Sequence, residues 1–314
     1  MAKALTQFIL NRNFILVLAV FLGMWKGDYA AFIKDYTFYI LAIVMTFSMT
    51  GIQTHSLFPL QRNIKPMLVG TFLNYIVFGV VIIAVAYWLM PSEKLFIGFV
   101  VIAATPPGVA VIPFSHILGG DVKYSIIGVL GAFIASVFLA PAIVGFFAQV
   151  EGEGINSFQL FVNMVKLVVL PLLFSRVLLW KPIQAGIVKV RGSVVDWGFA
   201  IIIFTAVGVN RQVFFSNFEV LLLSSVVLFI GTFGIGSLYE LFVRKMGVRE
   251  DVGTTQNLLL TIKSSGFSVV TALSLFGTEA AIPSAVMALF VLMYLLFLSF
   301  RKEYRNYKLK KQTI

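Results

Sequence analysis

The sequence contains no cysteine, which excludes disulfides, thiolate metal sites and cysteine nucleophiles. Histidine is scarce too: only His55 and His116 occur, and no serine-nucleophile motif or acidic pair accompanies either. An intramembrane protease or lipid-modifying enzyme needs a nucleophile beside a base, or a set of metal ligands, and the chain offers neither. Charged residues make up only 12% of the chain, with 13 acids against 24 lysines and arginines. What fills their place is apolar: 60% of the 314 residues are hydrophobic. A soluble domain cannot hide that much apolar surface, because surface-to-volume scaling forces polar residues outward. A bilayer is the expected solvent.

The net charge of +11 does not mark a nucleic-acid partner. The basic residues sit in short gaps between apolar runs rather than on a polar domain, the pattern of membrane topology. The first apolar run, near Phe14 to Trp25, has no small-residue cleavage site after it and reads as a retained helix. Runs of about 20 apolar residues bounded by charge, Gly or Pro give ten expected spans. Their bounds are 8–26, 36–55, 65–90, 95–119, 122–149, 157–180, 194–210, 217–244, 253–277 and 281–301. About eighteen basic residues fall on one side of these spans, including Arg62, Lys123, Arg176, Arg191, Arg244 and the tail from Arg301 to Lys311. The other side has Lys26, Lys34, Lys94 and Arg211. Translocation is biased against Lys and Arg, so the rich side and both termini are expected in the cytoplasm. Short loops without large soluble additions fit a bacterial inner membrane. The same topology accounts for the basic tail without an anionic-lipid role.

Two interruptions stand at corresponding places. The fourth span is broken by Thr105-Pro106-Pro107-Gly108, and the ninth by Ser264-Ser265-Gly266. Gly108 and Gly266 are 158 residues apart, close to half the chain. The expected fold is therefore an all-α membrane protein of ten transmembrane helices in two inverted five-helix repeats, residues 1–150 and 151–314. Its broken fourth and ninth helices would cross near the midplane. Inverted repeats with broken helices in matching positions point to a transporter binding site. A proline pair cannot continue an undisturbed helix, and the freed backbone groups cannot face lipid. Half-helix N-termini offer partial positive charge to an anion, and C-termini offer carbonyls to a cation. The Ser264 and Ser265 hydroxyls would add to this.

Lys263 is the leading candidate residue. An ionisable group inside a membrane helix normally faces a cavity or a partner, and Lys263 lies too deep in its span to snorkel. Its ammonium could stand in for a bound cation between the broken helices, attract an anionic substrate, or carry a proton. Asn74 is its expected polar neighbour. Asp196, at the start of the seventh span, and His116, one turn before Gly119-Gly120, are candidates for coupling. Glu240 and Arg244 read as an i,i+4 ion pair. Lys166 lies within the sixth span.

The chain resembles the bile acid:sodium symporter family, within the bile/arsenite/riboflavin transporter superfamily. The resemblance rests on Pro106-Pro107-Gly108, on Gly120-Asp121-Val122 with Ser125, and on Ser264-Ser265-Gly266. Val165-Lys166 with Leu170-Pro171, and Gly234-Ile235-Gly236, add to it. It implies ten helices divided into a panel (first, second, sixth, seventh) and a core (third to fifth, eighth to tenth) that rock against each other around the substrate. It also exposes departures. Where the family's sodium symporters carry Ser-Asn after the first break, this chain has Val111-Ile112. Their ninth-helix glutamate and glutamine correspond to Leu259 and Lys263, and a third-helix glutamine to Asn74. Ser125 keeps a polar group on the fifth helix. Sodium coupling is therefore expected to be absent or weak, with proton coupling or uniport of a small or amphipathic organic anion in its place. Arsenite is disfavoured for want of a thiolate. A sensor or channel on the same fold remains an alternative, as does, less favourably, an intramembrane enzyme. No cofactor or metal is implied; substrate identity and oligomeric state are not given by the sequence.

Overall fold

The computed structural model describes residues 12–52, 60–147 and 157–312. His55 falls outside them. The described chain is helical apart from short turns and two breaks, as expected where no water is present to satisfy an unpaired backbone. Helix α1 (Arg12–Lys26) runs through short helical turns into α2 (Thr37–Met49). Next come α3 (Leu60–Thr71), a π-helical turn (Phe72–Val77) and α4 (Phe78–Leu89). Helices α5 (Glu93–Ala104) and α6 (Val111–Leu118) are separated by the proline break, and α7 (Val122–Phe147) follows the Gly119-Gly120 turn. Helices α8 (Ser157–Met164) and α9 (Leu170–Leu178) flank a second π turn, Val165–Val169. The second half continues with α10 (Lys181–Val209), α11 (Phe218–Phe229), a third π turn (Ile230–Gly234) and α12 (Ile235–Lys245). Helices α13 (Glu250–Thr261) and α14 (Ser265–Phe276) flank the second break, and α15 (Thr278–Gln312) closes the described chain.

The expectation of ten transmembrane helices in two five-helix repeats is corrected by continuity and length. Among the described residues, seven helical runs are long and apolar enough to cross a membrane. The first two expected spans lie within one helical run, Phe14–Met49, because the residues joining them stay helical. The fourth and ninth are each cut in two, and none of their pieces exceeds 12 residues. At 1.5 Å per residue such a piece covers about 18 Å, short of a hydrocarbon core of about 30 Å. Counting apolar runs overlooks whether the backbone through them is unbroken.

The helices differ in how much of them is enclosed. In Thr278–Tyr304, 67% of the apolar window is buried, and in Val122–Phe147, 61%, against 24% in Phe161–Leu178 and 28% in Phe14–Met49. Helices α7 and α15 therefore run through the interior, while α1 and α9 lie at its margin. Close backbone approach sets the packing of α3 on α7: a Cβ added at Gly70 would lie 3.0 Å from Gly128 Cα. Small residues let helix backbones meet where lipid gives no hydrophobic drive to pack. Gly70→Val, pressing on backbone that cannot yield, is expected to lower stability by about 1–3 kcal/mol. Thermal unfolding of the purified protein in detergent measures it.

Candidate functional site

The two breaks meet. Pro107 and Lys263 form an isolated antiparallel bridge. Gly108 N–H donates to Ile262 O at 2.8 Å, and Ser264 N–H donates to Pro106 O at 3.1 Å. The bridge needs close approach: a Cβ at Gly108 would lie 3.1 Å from Lys263 O. Four backbone groups that lost their helical partners at the breaks are paired in this way.

The proline pair leaves a further debt. In an uninterrupted helix the amides at positions 106 and 107 would bond the carbonyls of Ile102 and Ala103, but proline has no N–H. Thr105 covers Ile102 O, through its hydroxyl at 2.9 Å and its amide at 3.2 Å. Ala103 O accepts from Lys263 Nζ at 3.0 Å. The other two N–H groups of the ammonium go to Asn74, one to Oδ1 at 3.1 Å and one to the backbone carbonyl at 3.2 Å. Asn74 lies in the first π turn, where Phe78 N–H reaches back five residues to Leu73 O. Its side-chain amide donates onward to Thr105 O at 3.1 Å.

Lys263 is 1% exposed, and its three N–H donors each have an acceptor. Among the described residues no carboxylate bonds it. Its ammonium stands 5.1 Å from the ring centroid of Tyr75 and 5.0 Å from that of Phe78, cation–π distances. The Tyr75 hydroxyl donates to Ala132 O on α7, which holds the ring in place. The ammonium thus lies at the C-terminal, electronegative end of α5, among carbonyls.

Beside the breaks lies a cavity of about 40 Å³, lined by Gly108, Lys263, Ser264 and Ser265 together with Phe199 and Ile203 of α10 and Leu292 of α15. The Ser264 hydroxyl is at the N-cap of α14 but makes no capping bond, and Ser264 is 4% exposed. Gly266 faces α10 so closely that a Cβ would lie 2.6 Å from the Phe199 ring.

Of the residues singled out from sequence, Lys263, Asn74, Thr105, Pro106, Pro107, Gly108, Ser264, Ser265 and Gly266 come together at the breaks. Three others do not. Ser125 is buried at the start of α7, and its hydroxyl donates to Val122 O at 2.7 Å within its own helix. His116 is exposed near the end of α6. Asp196 is half-buried on α10 and does not line the cavity. The Gly119-Gly120-Asp121 turn instead docks on α13, with Asp121 N–H donating to Asp251 O at 3.1 Å. There a hydrogen bond from Arg249 holds the Asp251 carboxyl below the usual carboxylate range. Glu240 pairs with Arg244 at 2.7 Å, as its spacing indicates, and with Arg301 as well.

Sequence reading missed the Ala103 carbonyl, although a missing amide at Pro107 implies a free acceptor four residues earlier. It also missed Tyr75 and Phe78; Phe78 follows Asn74 by one helical turn. A polar set on α13 was missed too: Gln256 bonds Tyr124 and Tyr239, and Asn257 bonds Tyr294 and Gly236 O.

Long apolar helices, two facing breaks and an enclosed cation are those of a polytopic membrane protein of the secondary-transporter kind. A sequence model of the Sodium Bile acid symporter family matches residues 38–234, more than half of the chain, and the chain belongs to that family. The match includes Asn74 and the first break and ends before the second. No curated protein matches the chain.

Removing the ammonium would leave buried carbonyls without donors, at about 1–3 kcal/mol for an unsatisfied group. Lys263→Met is therefore expected to melt at a lower temperature than wild type in detergent, by an amount equivalent to about 1–3 kcal/mol. An unchanged melting temperature would mean that the three bonds contribute no net stability.

Proposed function

We propose that this protein carries a small or amphipathic organic anion across the membrane by alternating access, without sodium at the position that Lys263 occupies. The observation that carries the reading is the ammonium itself, which donates to three oxygens between α5 and the first π turn. A sodium ion needs several oxygen ligands to replace its hydration shell. Here the oxygens already face a tethered positive charge, and Leu259, Val111 and Ile112 bring no polar side chain to the region. Because its N–H groups are engaged by the protein, Lys263 acts as a fixed cation joining the two breaks rather than as the hand that grips substrate.

The substrate's anionic group would instead meet the cavity beside the breaks, which Lys263 lines without a free N–H to offer. The N-terminus of α14 opens there, and Ser264 and Ser265 offer hydroxyls beside it. The remaining lining is largely apolar, which suits a hydrocarbon body. At about 40 Å³ the space is far smaller than the 300 Å³ or more of an ordinary ligand pocket, so the carrier must open to load. Opening would part α10 from α14, the place where Gly266 and Phe199 touch. The basic-rich face is taken as cytoplasmic, in a bacterial inner membrane.

Uptake of labelled organic anions into proteoliposomes, under sodium, potassium or proton gradients, tests the proposal with wild type beside Lys263→Ala. Saturable uptake indifferent to sodium, and lost in the variant, is the expected result. Sodium-driven uptake that tolerates the substitution would sink the assignment of Lys263. Binding without flux would favour a sensor built on the same fold.

A further inference from the structure

Away from the breaks, a second lysine within an apolar run is placed quite differently. Lys166 lies near the start of the apolar run Phe161–Leu178, in the π turn that precedes Pro171. Its side chain is exposed, and among the described residues it has no hydrogen-bond or ion-pair partner. From it runs a groove of about 410 Å³ between α2 and α9, lined by Ala42, Ile43 and Phe47 on one side and Leu170, Phe174 and Leu178 on the other. The groove's one hydroxyl, on Thr46, donates to Ala42 O within its own helix and is not offered to a ligand. Ile43, Leu170, Phe174 and Val177 each leave between 41% and 63% of their surface uncovered.

We propose that this groove seats one acyl chain of an anionic phospholipid whose headgroup pairs with Lys166. Charge is the first argument. A cation at the margin of hydrocarbon is stable only with an anion or with water, and the apolar lining supplies neither. A zwitterionic headgroup would bring its own cation toward the lysine and cancel part of the attraction. Length is the second. The 12 helical steps from Lys166 to Leu178 cover about 18 Å, close to the depth of one leaflet in a hydrocarbon core of about 30 Å. The lysine stem can carry its charge toward the interface at the Phe161 end, where the headgroups lie. The site is independent of the transport reading, since it shares no lining residue with the cavity at the breaks.

Native mass spectrometry of the full chain in detergent, with phosphatidylglycerol or phosphatidylcholine of matched chains, tests it. Wild type should retain one phosphatidylglycerol about fivefold more strongly than phosphatidylcholine, the effect of one basic residue on one anionic lipid. Lys166→Gln should erase that preference and Lys166→Arg should keep it. Lys65→Gln, which removes another exposed lysine from α3, should change nothing. Ala42→Phe, which fills the groove and leaves the lysine in place, should weaken retention of both lipids. Equal retention of the two lipids, or a preference that survives Lys166→Gln, would overturn the proposal. So would a second copy of the chain occupying the groove in place of lipid.

Discussion

Hydrocarbon offers no hydrogen bonds, so each backbone group released by a helix break must find its partner inside the protein. The prolines at 106 and 107 create that demand, and the chain answers it with groups from the other half of the sequence. Ile262 O and Pro106 O accept across the bridge, and Ala103 O accepts from Lys263. Neither break is stable as a separate feature. A lysine buried without acceptors would be untenable, and so would an Ala103 carbonyl without a donor; each makes the other permissible. The π turn at Asn74 belongs to the same arrangement, because it presents a main-chain oxygen and a side-chain oxygen to one ammonium.

This arrangement leaves two kinds of polar group at the breaks. The ammonium, the carbonyls and two aromatic rings close around each other and leave no donor over. Ser264, next in sequence, lies buried at the start of α14 without a capping bond, in a cavity shared with α10 and α15. The saturated set holds the two halves of the sequence together. The cavity is where a ligand and a moving helix could compete for the same space. Because Gly266 has no side chain, Phe199 packs against its backbone, and a displacement of α10 would uncover the amide end of α14 directly.

The breaks were legible in the sequence because proline and glycine carry their constraints with them, whatever surrounds them. Lys263 was legible because a charge deep in an apolar run must be answered, and Asn74 was the nearest polar group able to answer it. Direction was not legible. Ser125, His116 and Asp196 lie in or beside apolar runs as Lys263 does, yet the runs α6, α7 and α10 are rotated so that these three meet other surfaces. An apolar run has too little periodicity to reveal that rotation when both lipid and interior are apolar. The helix count failed for a related reason: composition measures length in hydrocarbon, while continuity depends on which carbonyls lose their donors. The family match ends at residue 234, so what is said of Lys263 rests on its own contacts.

A tethered ammonium and a bound sodium ion are equivalent in charge but not in what they can do. Sodium arrives from one side and leaves on the other, and its gradient does work because it leaves. Lys263 cannot leave. Its three donors are directional and matched to three oxygens fixed by the proline pair and the π turn, whereas sodium tolerates a looser shell. On the proposed reading, replacing the ion by the side chain would keep the electrostatic link between the breaks and give up the gradient that the ion would have delivered. Any uphill transport must then draw on a different ion, one that meets a group free to exchange it. If no such group operates, the same geometry describes a carrier that equilibrates its substrate and whose direction is set by substrate concentration alone.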